Sequence, residues 1–306
     1  MISYSAPGNL MLMGEHAILH GQPAIAMAVT GRIIVHLTPR VDRQVMIHSS
    51  LGEYHSHLDS LSLDCTFSFI INAVDRLKTS LPSGFELRID SEFSDQVGLG
   101  SSAAVTASTV AALLDFSGQP VEKSLLLNHA IEVVRKTQQG RGSGTDLAAS
   151  IFGGLIAYEM QTQEVRCLNG LPSVDLYYVG YKMKTPDVIA LVNQRAESHP
   201  DLYASLYQLM GALTRAAEQA ISESNWDQLG VLMNQYSGLL DALGVCDRSL
   251  ADLQFSLRTQ SSVKGAKISG SGLGDSVITL GLANPEEINY QHLPITISPR
   301  GLEKVC

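Results

Sequence analysis

Gly98-Leu99-Gly100-Ser101-Ser102-Ala103-Ala104 is the stretch on which the reading of this 306-residue chain turns. Two glycines, one residue apart, let the backbone turn tightly and approach a ligand. Small residues then open an Ala-rich run to Phe116, which reads as a helix. The first amides of a helix have no intrahelical partner, so its start attracts phosphate through N–H groups and the helix dipole. Ser101 and Ser102 add hydroxyls suited to a phosphate oxygen or a magnesium ion. The stretch lacks the lysine of a Walker A motif and the third glycine of a dinucleotide fingerprint. Taken alone, such a pattern is more often a glycine turn with a serine cap.

Three other segments carry chemistry by the same kind of argument. In Gly140-Arg141-Gly142-Ser143-Gly144-Thr145-Asp146 an acid stands at a helix start behind three glycines. It is either an N-cap or a carboxylate held to accept a proton from a hydroxyl. In Lys267-Ile268-Ser269-Gly270-Ser271-Gly272-Leu273-Gly274-Asp275, alternate glycines lie between two strands. They make a hairpin bend or bring backbone against a bound molecule. In Ala6-Pro7-Gly8-Asn9-Leu10-Met11-Leu12-Met13-Gly14-Glu15-His16, a glycine precedes an acid and a histidine. On their own these two read as ordinary strand-end polar residues.

Composition narrows the class. Hydrophobic residues make up 45% and charged residues 17%, which fits a globular protein and argues against disorder. With 21 basic and 30 acidic residues the net charge is −9, which makes the chain a poor general nucleic-acid binder. A small anionic substrate is compatible if the few positive groups are focused in one place. Cys65, Cys167, Cys246 and Cys306 form no C-x-x-C pair, so neither a zinc nor a redox motif is expected, and a reducing compartment is. His55 and His57 lie two apart with no third ligand. No basic segment followed by an apolar one opens the chain, and no run of about 18 apolar residues occurs. The expectation is a cytoplasmic protein with no membrane span.

The length suggests two lobes. Residues 24–37 are β-branched and interrupted by Gly31, so two paired strands are expected there. Further strands are predicted at 45–49, 85–89, 153–158, 176–182, 267–271, 276–282 and 295–297. Helices are predicted at 67–77, 103–116, 121–136 and 146–151, with a short one near 285–290. Residues 200–260 read as almost all helical, broken near Asn225 and Gly244. The lone Trp226 reads as packing between two of these helices. Irregular mixing of strands and helices favours α+β.

Together, and in this order, the four segments resemble the GHMP kinases, from Ser5 to Gly281. Ser-Ala-Pro-Gly at 5–8, Gly14-Glu15-His16-Ala17 and Gly21-Gln22-Pro23-Ala24 are most similar to mevalonate kinase. The resemblance implies an N-terminal lobe like the second domain of ribosomal protein S5 and an α+β C-terminal lobe, divided as 1–170 and 171–306, with the active site in the cleft between them. It implies that Gly98, Leu99, Gly100, Ser101, Ser102 and Ala103 hold the phosphates of ATP. Ser102 would help hold Mg²⁺, and Asp146 would be the catalytic acid/base. Glu15, His16, Ser143, Gly144, Gly270, Ser271 and Gly272 would face the acceptor, mevalonate or a related anionic alcohol. The helices of the second lobe offer a face for a homodimer.

Two positions depart from the family. The first motif usually carries a lysine where this chain has Asn9, and mevalonate kinases carry a metal-binding glutamate where it has Arg135. Arg141, Lys267 and Arg195 are then the candidate positive groups for an anionic acceptor. Gly142-Ser143-Gly144-Thr145-Asp146-Leu147-Ala148-Ala149 and Gly274-Asp275-Ser276 also resemble phosphomevalonate kinase. That family is the first alternative. A sugar-phosphorylating relative and a catalytically silent, small-molecule-binding relative are the others.

Overall fold

A computed structural model describes residues 1–92 and 98–305. Cys306 therefore lies outside the described residues. In chain order the elements are β1 (Ile2–Met13), β2 (Ala24–Pro39), β3 (Gln44–Ser49), β4 (Gly52–His57), α1 (Ser68–Leu77), β5 (Phe85–Ser91), α2 (Ser101–Phe116), α3 (Lys123–Thr137) and α4 (Thr145–Phe152). Then follow β6 (Leu155–Glu159), β7 (Glu164–Leu168), β8 (Val174–Lys182), α5 (Thr185–Glu197), α6 (Pro200–Ser222), α7 (Trp226–Ala242) and α8 (Arg248–Arg258). The chain ends with β9 (Gly265–Ser269), β10 (Gly274–Leu280), β11 (Gln291–Leu293) and β12 (Glu303–Val305). The class is α+β, as expected.

Contacts divide the chain into two compact units interleaved in sequence. The first comprises 1–9, 30–153 and 300–306; the second comprises 10–29 and 154–299. β1 and β2 each contribute one end to each unit.

In the first unit the sheet runs β12-β1-β2-β5-β3-β4, with β12–β1, β2–β5 and β3–β4 antiparallel and β3–β5 parallel. Helices α1 to α4 pack against one another, with α2 touching each of the others. Helix α2 buries Ala103, Ala104, Ala107, Ala111 and Ala112 together with Val110, Leu113 and Leu114. Apolar on nearly all sides, it can only be a central helix, and its small side chains let neighbours approach closely. The structure thereby fixes the start of α2 in space.

In the second unit the first half of β2 pairs with β6, which pairs with β7. A separate antiparallel sheet runs β11-β8-β10-β9. Helix α7 lies on β9, and α8 lies on β8, β9 and β10. Asn225 and Asp247 cap α7 and α8, their side chains accepting from the amides of Gln228 and Leu250. These are ordinary capping bonds. Trp226 opens α7 with its ring against Gly170.

Several sequence expectations are corrected. Residues 24–37 are one strand, not two. Gly31 takes φ 93° inside it and kinks the strand without ending it. Pairing to β6 on one side of the kink and β5 on the other keeps both halves extended. Residues 295–297 form no strand; Ile297 makes a single bridge to Val29. The segment near 285–290 contains one turn of 3₁₀ helix, Pro285–Glu287. Helix α5 and strands β4, β7, β11 and β12 were not anticipated. Among the described residues no helix is long and apolar enough to cross a membrane.

Candidate active site

The glycine loop lies in the first unit. Gly100 is the N-cap of α2, with φ 73° and ψ 30°, a left-handed conformation that glycine adopts without strain. It has no side chain to cap with, and among the described residues α2 receives no side-chain cap. The amides of Ala103 and Ala104 both reach the Gly100 carbonyl at 3.1 Å. The turn of Ser101 and Ser102 thus opens the helix, and both residues are half-buried. This is the geometry in which helix-end amides and the helix dipole favour an anion.

Helix α4 starts the same way. Its N-cap is Gly144 at φ 88°, Thr145 is its first residue and Asp146 its second. Asp146 is therefore not the N-cap but an acid in the first turn of α4. The Ser143 hydroxyl lies 2.9 Å from the Thr145 hydroxyl and accepts from the Thr145 amide at 3.2 Å. Gly144 and Thr145 are buried while Asp146 is exposed. The helix dipole favours a carboxylate on the first turn, and an exposed one is within reach of an incoming hydroxyl that it can orient.

Asn9 joins these two parts. It is 2% exposed, its amide donates to the Leu99 carbonyl at 2.9 Å, and its Nδ2 donates to the Ser150 hydroxyl at 2.9 Å. Ser150 is one turn beyond Asp146 on α4. The loop Gly98–Ala103 and the helix of Asp146 are therefore fastened to one β1 residue.

The second unit gathers the other candidates. Gly14 turns the chain at φ 102°, where a Cβ would stand 2.5 Å from Ala24 Cα. Only glycine fits. Glu15 and His16 follow, both buried. The Glu15 carbonyl accepts from the Tyr236 hydroxyl at 2.9 Å, and Glu15 Oε1 accepts from Lys267 Nζ at 2.5 Å. Lys267 Nζ also donates to the Ile268 carbonyl and lies 5.5 Å from the centre of the Tyr236 ring. His16 Nε2 lies 2.9 Å from the Ser271 carbonyl, an oxygen that can only accept, so Nε2 carries the proton. Burial pushes the His16 pKa down, against the Ser271 bond and the Glu15 charge. A neutral ring so held turns Nδ1 into an acceptor for a hydroxyl. Residues 270–275 form a tight loop in which Gly270, Gly272, Leu273, Gly274 and Asp275 all have positive φ. Asp275 is buried and paired with Lys182 at 2.6 Å.

The positive groups chosen from the sequence behave differently. Lys267 is wholly buried and its ammonium is engaged by Glu15 and the Ile268 carbonyl, so it does not serve an anionic ligand. Arg195 donates to the Leu243 and Gly244 carbonyls and finishes α7. Arg141 is exposed. Arg135 is half-exposed, 4.0 Å from Glu132, and as a cation is no metal ligand. Among the described residues no three His, Cys, Asp or Glu side chains are placed to hold a metal. The donor set suits Mg²⁺ bound mostly through phosphate oxygens and water, with a hydroxyl such as that of Ser102. Sequence reasoning passed over Ser150 and Tyr236. Ser150 had a faint signal, four residues after Asp146 and so on the same helix face.

Comparison with known proteins bears on this arrangement. Residues 68–154 match the GHMP kinases N terminal domain, and residues 217–289 match the GHMP kinases C terminal region. The mevalonate kinase of Pyrococcus furiosus is 30% identical over 306 aligned residues, which cover 93% of this chain and 90% of the relative. The chain belongs to the GHMP kinases. It is a kinase, an ATP-binding transferase whose acceptor is an alcohol on a small molecule. This GHMP kinase shares its fold with the Lin0012 protein of Listeria innocua, with a TM-score of 0.87 at 20% identity over 99% of both chains. It also shares it with the Streptococcus pneumoniae phosphomevalonate kinase solved with phosphomevalonate and AMPPNP, with a TM-score of 0.80 at 18% identity over 100% of both chains.

Proposed function

We propose that the chain transfers the γ-phosphate of ATP to the 5-hydroxyl of mevalonate. The observation that carries this reading is the exposed Asp146 carboxylate on a helix that Asn9 fastens to the uncapped start of α2. The extended similarity to mevalonate kinases supports the choice of acceptor. In this reading Gly98, Leu99, Gly100, Ser101, Ser102 and Ala103 surround the β- and γ-phosphates, and the amides that cradle them are those ahead of Ala103, whose own N–H closes the first helical turn on the Gly100 carbonyl. Asp146 orients the acceptor hydroxyl and takes its proton. Ser143 and Gly144 shape the backbone around that carboxylate. Glu15, His16, Gly270, Ser271 and Gly272 serve the acceptor, with His16 Nδ1 accepting from a hydroxyl. Mg²⁺, held in part by Ser102, would neutralise charge on the phosphate oxygens. Phosphoryl transfer needs little covalent chemistry from a protein, and these residues supply positioning and charge.

A second reading, phosphomevalonate as acceptor, is favoured by Gly274-Asp275-Ser276. One experiment separates the two. The purified chain is incubated with Mg-ATP and, separately, mevalonate, phosphomevalonate and a set of sugars, and ADP is counted. Release with mevalonate is expected. Release with phosphomevalonate or a sugar alone replaces the proposed acceptor, and no release with any of them refutes it.

A further inference from the structure

We propose that Asn9 is the positioning residue that sets the phosphate loop against the helix of Asp146, acting by hydrogen bonding and shape rather than by charge. The inference rests on the reading that Gly98–Ala103 holds nucleotide phosphates.

The hydrogen-bond inventory fixes the direction of the contact. The Ser150 hydroxyl has one proton, and it is donated to the Pro7 carbonyl at 2.8 Å. The group that faces Ser150 Oγ must then be a donor, which makes it the carboxamide NH₂ of Asn9. The second proton of that NH₂ is directed to the Gly100 carbonyl at 3.4 Å. The Asn9 amide holds the Leu99 carbonyl on the same loop. One residue thus binds the loop through two carbonyls and α4 through Ser150. Fit adds to this, because a methyl group on Gly100 would overlap the Asn9 carboxamide. Gly100 and Asn9 are therefore a matched pair, and neither accepts a larger side chain independently. A lysine at position 9 has no counter-ion in these contacts, and its longer stem has no room in a site that is 2% exposed. The neutral amide is what this packing accommodates.

The test measures binding of a fluorescent ATP analogue, then KM for ATP and kcat, in Asn9→Ala, Asn9→Asp, Asn9→Lys, Ser150→Ala and the Asn9→Ala/Ser150→Ala double variant. Asn72→Ala serves as the control. It loses a side-chain bond of similar kind, to Thr137 at 2.9 Å in the same unit. Loss of a buried hydrogen bond of this kind is expected to weaken nucleotide binding about tenfold in Asn9→Ala and in Ser150→Ala. The double variant should be no worse than Asn9→Ala, because the two side chains act as one link. Asn9→Asp should bind at least as poorly as Asn9→Ala, since a carboxylate meets an oxygen that is already an acceptor. Asn72→Ala should keep wild-type affinity. Unchanged affinity in Asn9→Ala, multiplying losses in the double variant, or a higher kcat in Asn9→Lys would each overturn the inference. Wild-type protein that fails to bind the nucleotide overturns the phosphate-loop reading, and this inference with it.

Discussion

Replacing Lys267 with Met probes the most deeply buried charge in the second unit. The Lys267 and Glu15 side chains are 0% and 2% exposed, with Nζ 2.5 Å from Oε1. Burial pushes the Lys267 pKa down, and the Glu15 charge and hydrogen bond resist it. Among the described residues the other Glu15 oxygen, Oε2, is buried without a hydrogen-bond partner. Met keeps most of the lysine stem and its packing against Tyr236 but removes the charge. The carboxylate then stays buried with its main partner gone, a loss that costs about 3–5 kcal/mol. At roughly 2–4 °C per kcal/mol this lowers the melting temperature by about 6–20 °C. Glu15→Gln alone strands the ammonium and should cost a similar amount. The Lys267→Met/Glu15→Gln double variant removes both charges and should recover most of the loss, because replacing a whole buried pair is often neutral or stabilising. The assay is urea and thermal unfolding of all four proteins at one pH. Single variants within about 1 kcal/mol of the parent, or losses that simply add in the double variant, would refute the reasoning.

Asp146→Ala should lower kcat by about 10²–10⁴-fold while leaving ATP-analogue affinity near that of the parent; near-native turnover would remove Asp146 from its assigned role. His16→Asn should flatten the pH dependence of stability. The folded-state pKa of His16 lies below its ordinary value of about 6.5, so the unfolded chain binds the proton first as pH falls. Stability linked to the neutral ring is complete above that value and is lost as pH falls through the depressed one. The parent should therefore lose more urea resistance than His16→Asn between about pH 7 and about pH 5, and equal slopes would contradict the buried, neutral assignment. Asp247→Ala removes the α8 cap bond to the Leu250 amide at 3.1 Å and should cost about 1 kcal/mol without changing kcat. No measurable cost would mean that water replaces the cap.

What could be read from the sequence alone was local. Glycine spacing at 98–100 and 140–144 marked two helix starts, because left-handed turns with unpartnered amides need residues without side chains. The 3.6 period located α1, α2, α3 and α6–α8, and β-branched runs located β3, β5, β8, β9 and β10. Asp146 was legible as an acid at a helix start, though not as its second residue. The sequence could not say that Gly31 kinks one strand, since a glycine between β-branched runs marks a turn just as well. Nor could it assign Asn9 and Lys267. Asn9 meets a hydroxyl 141 positions away, and Lys267 meets a carboxylate 252 positions away. Only the tertiary structure brings those partners within reach, so it alone decided that the lysine is an internal counter-ion and the asparagine a link between loop and helix. The physical reason is that charge and hydrogen-bonding capacity belong to a residue type, while burial and partner belong to the fold.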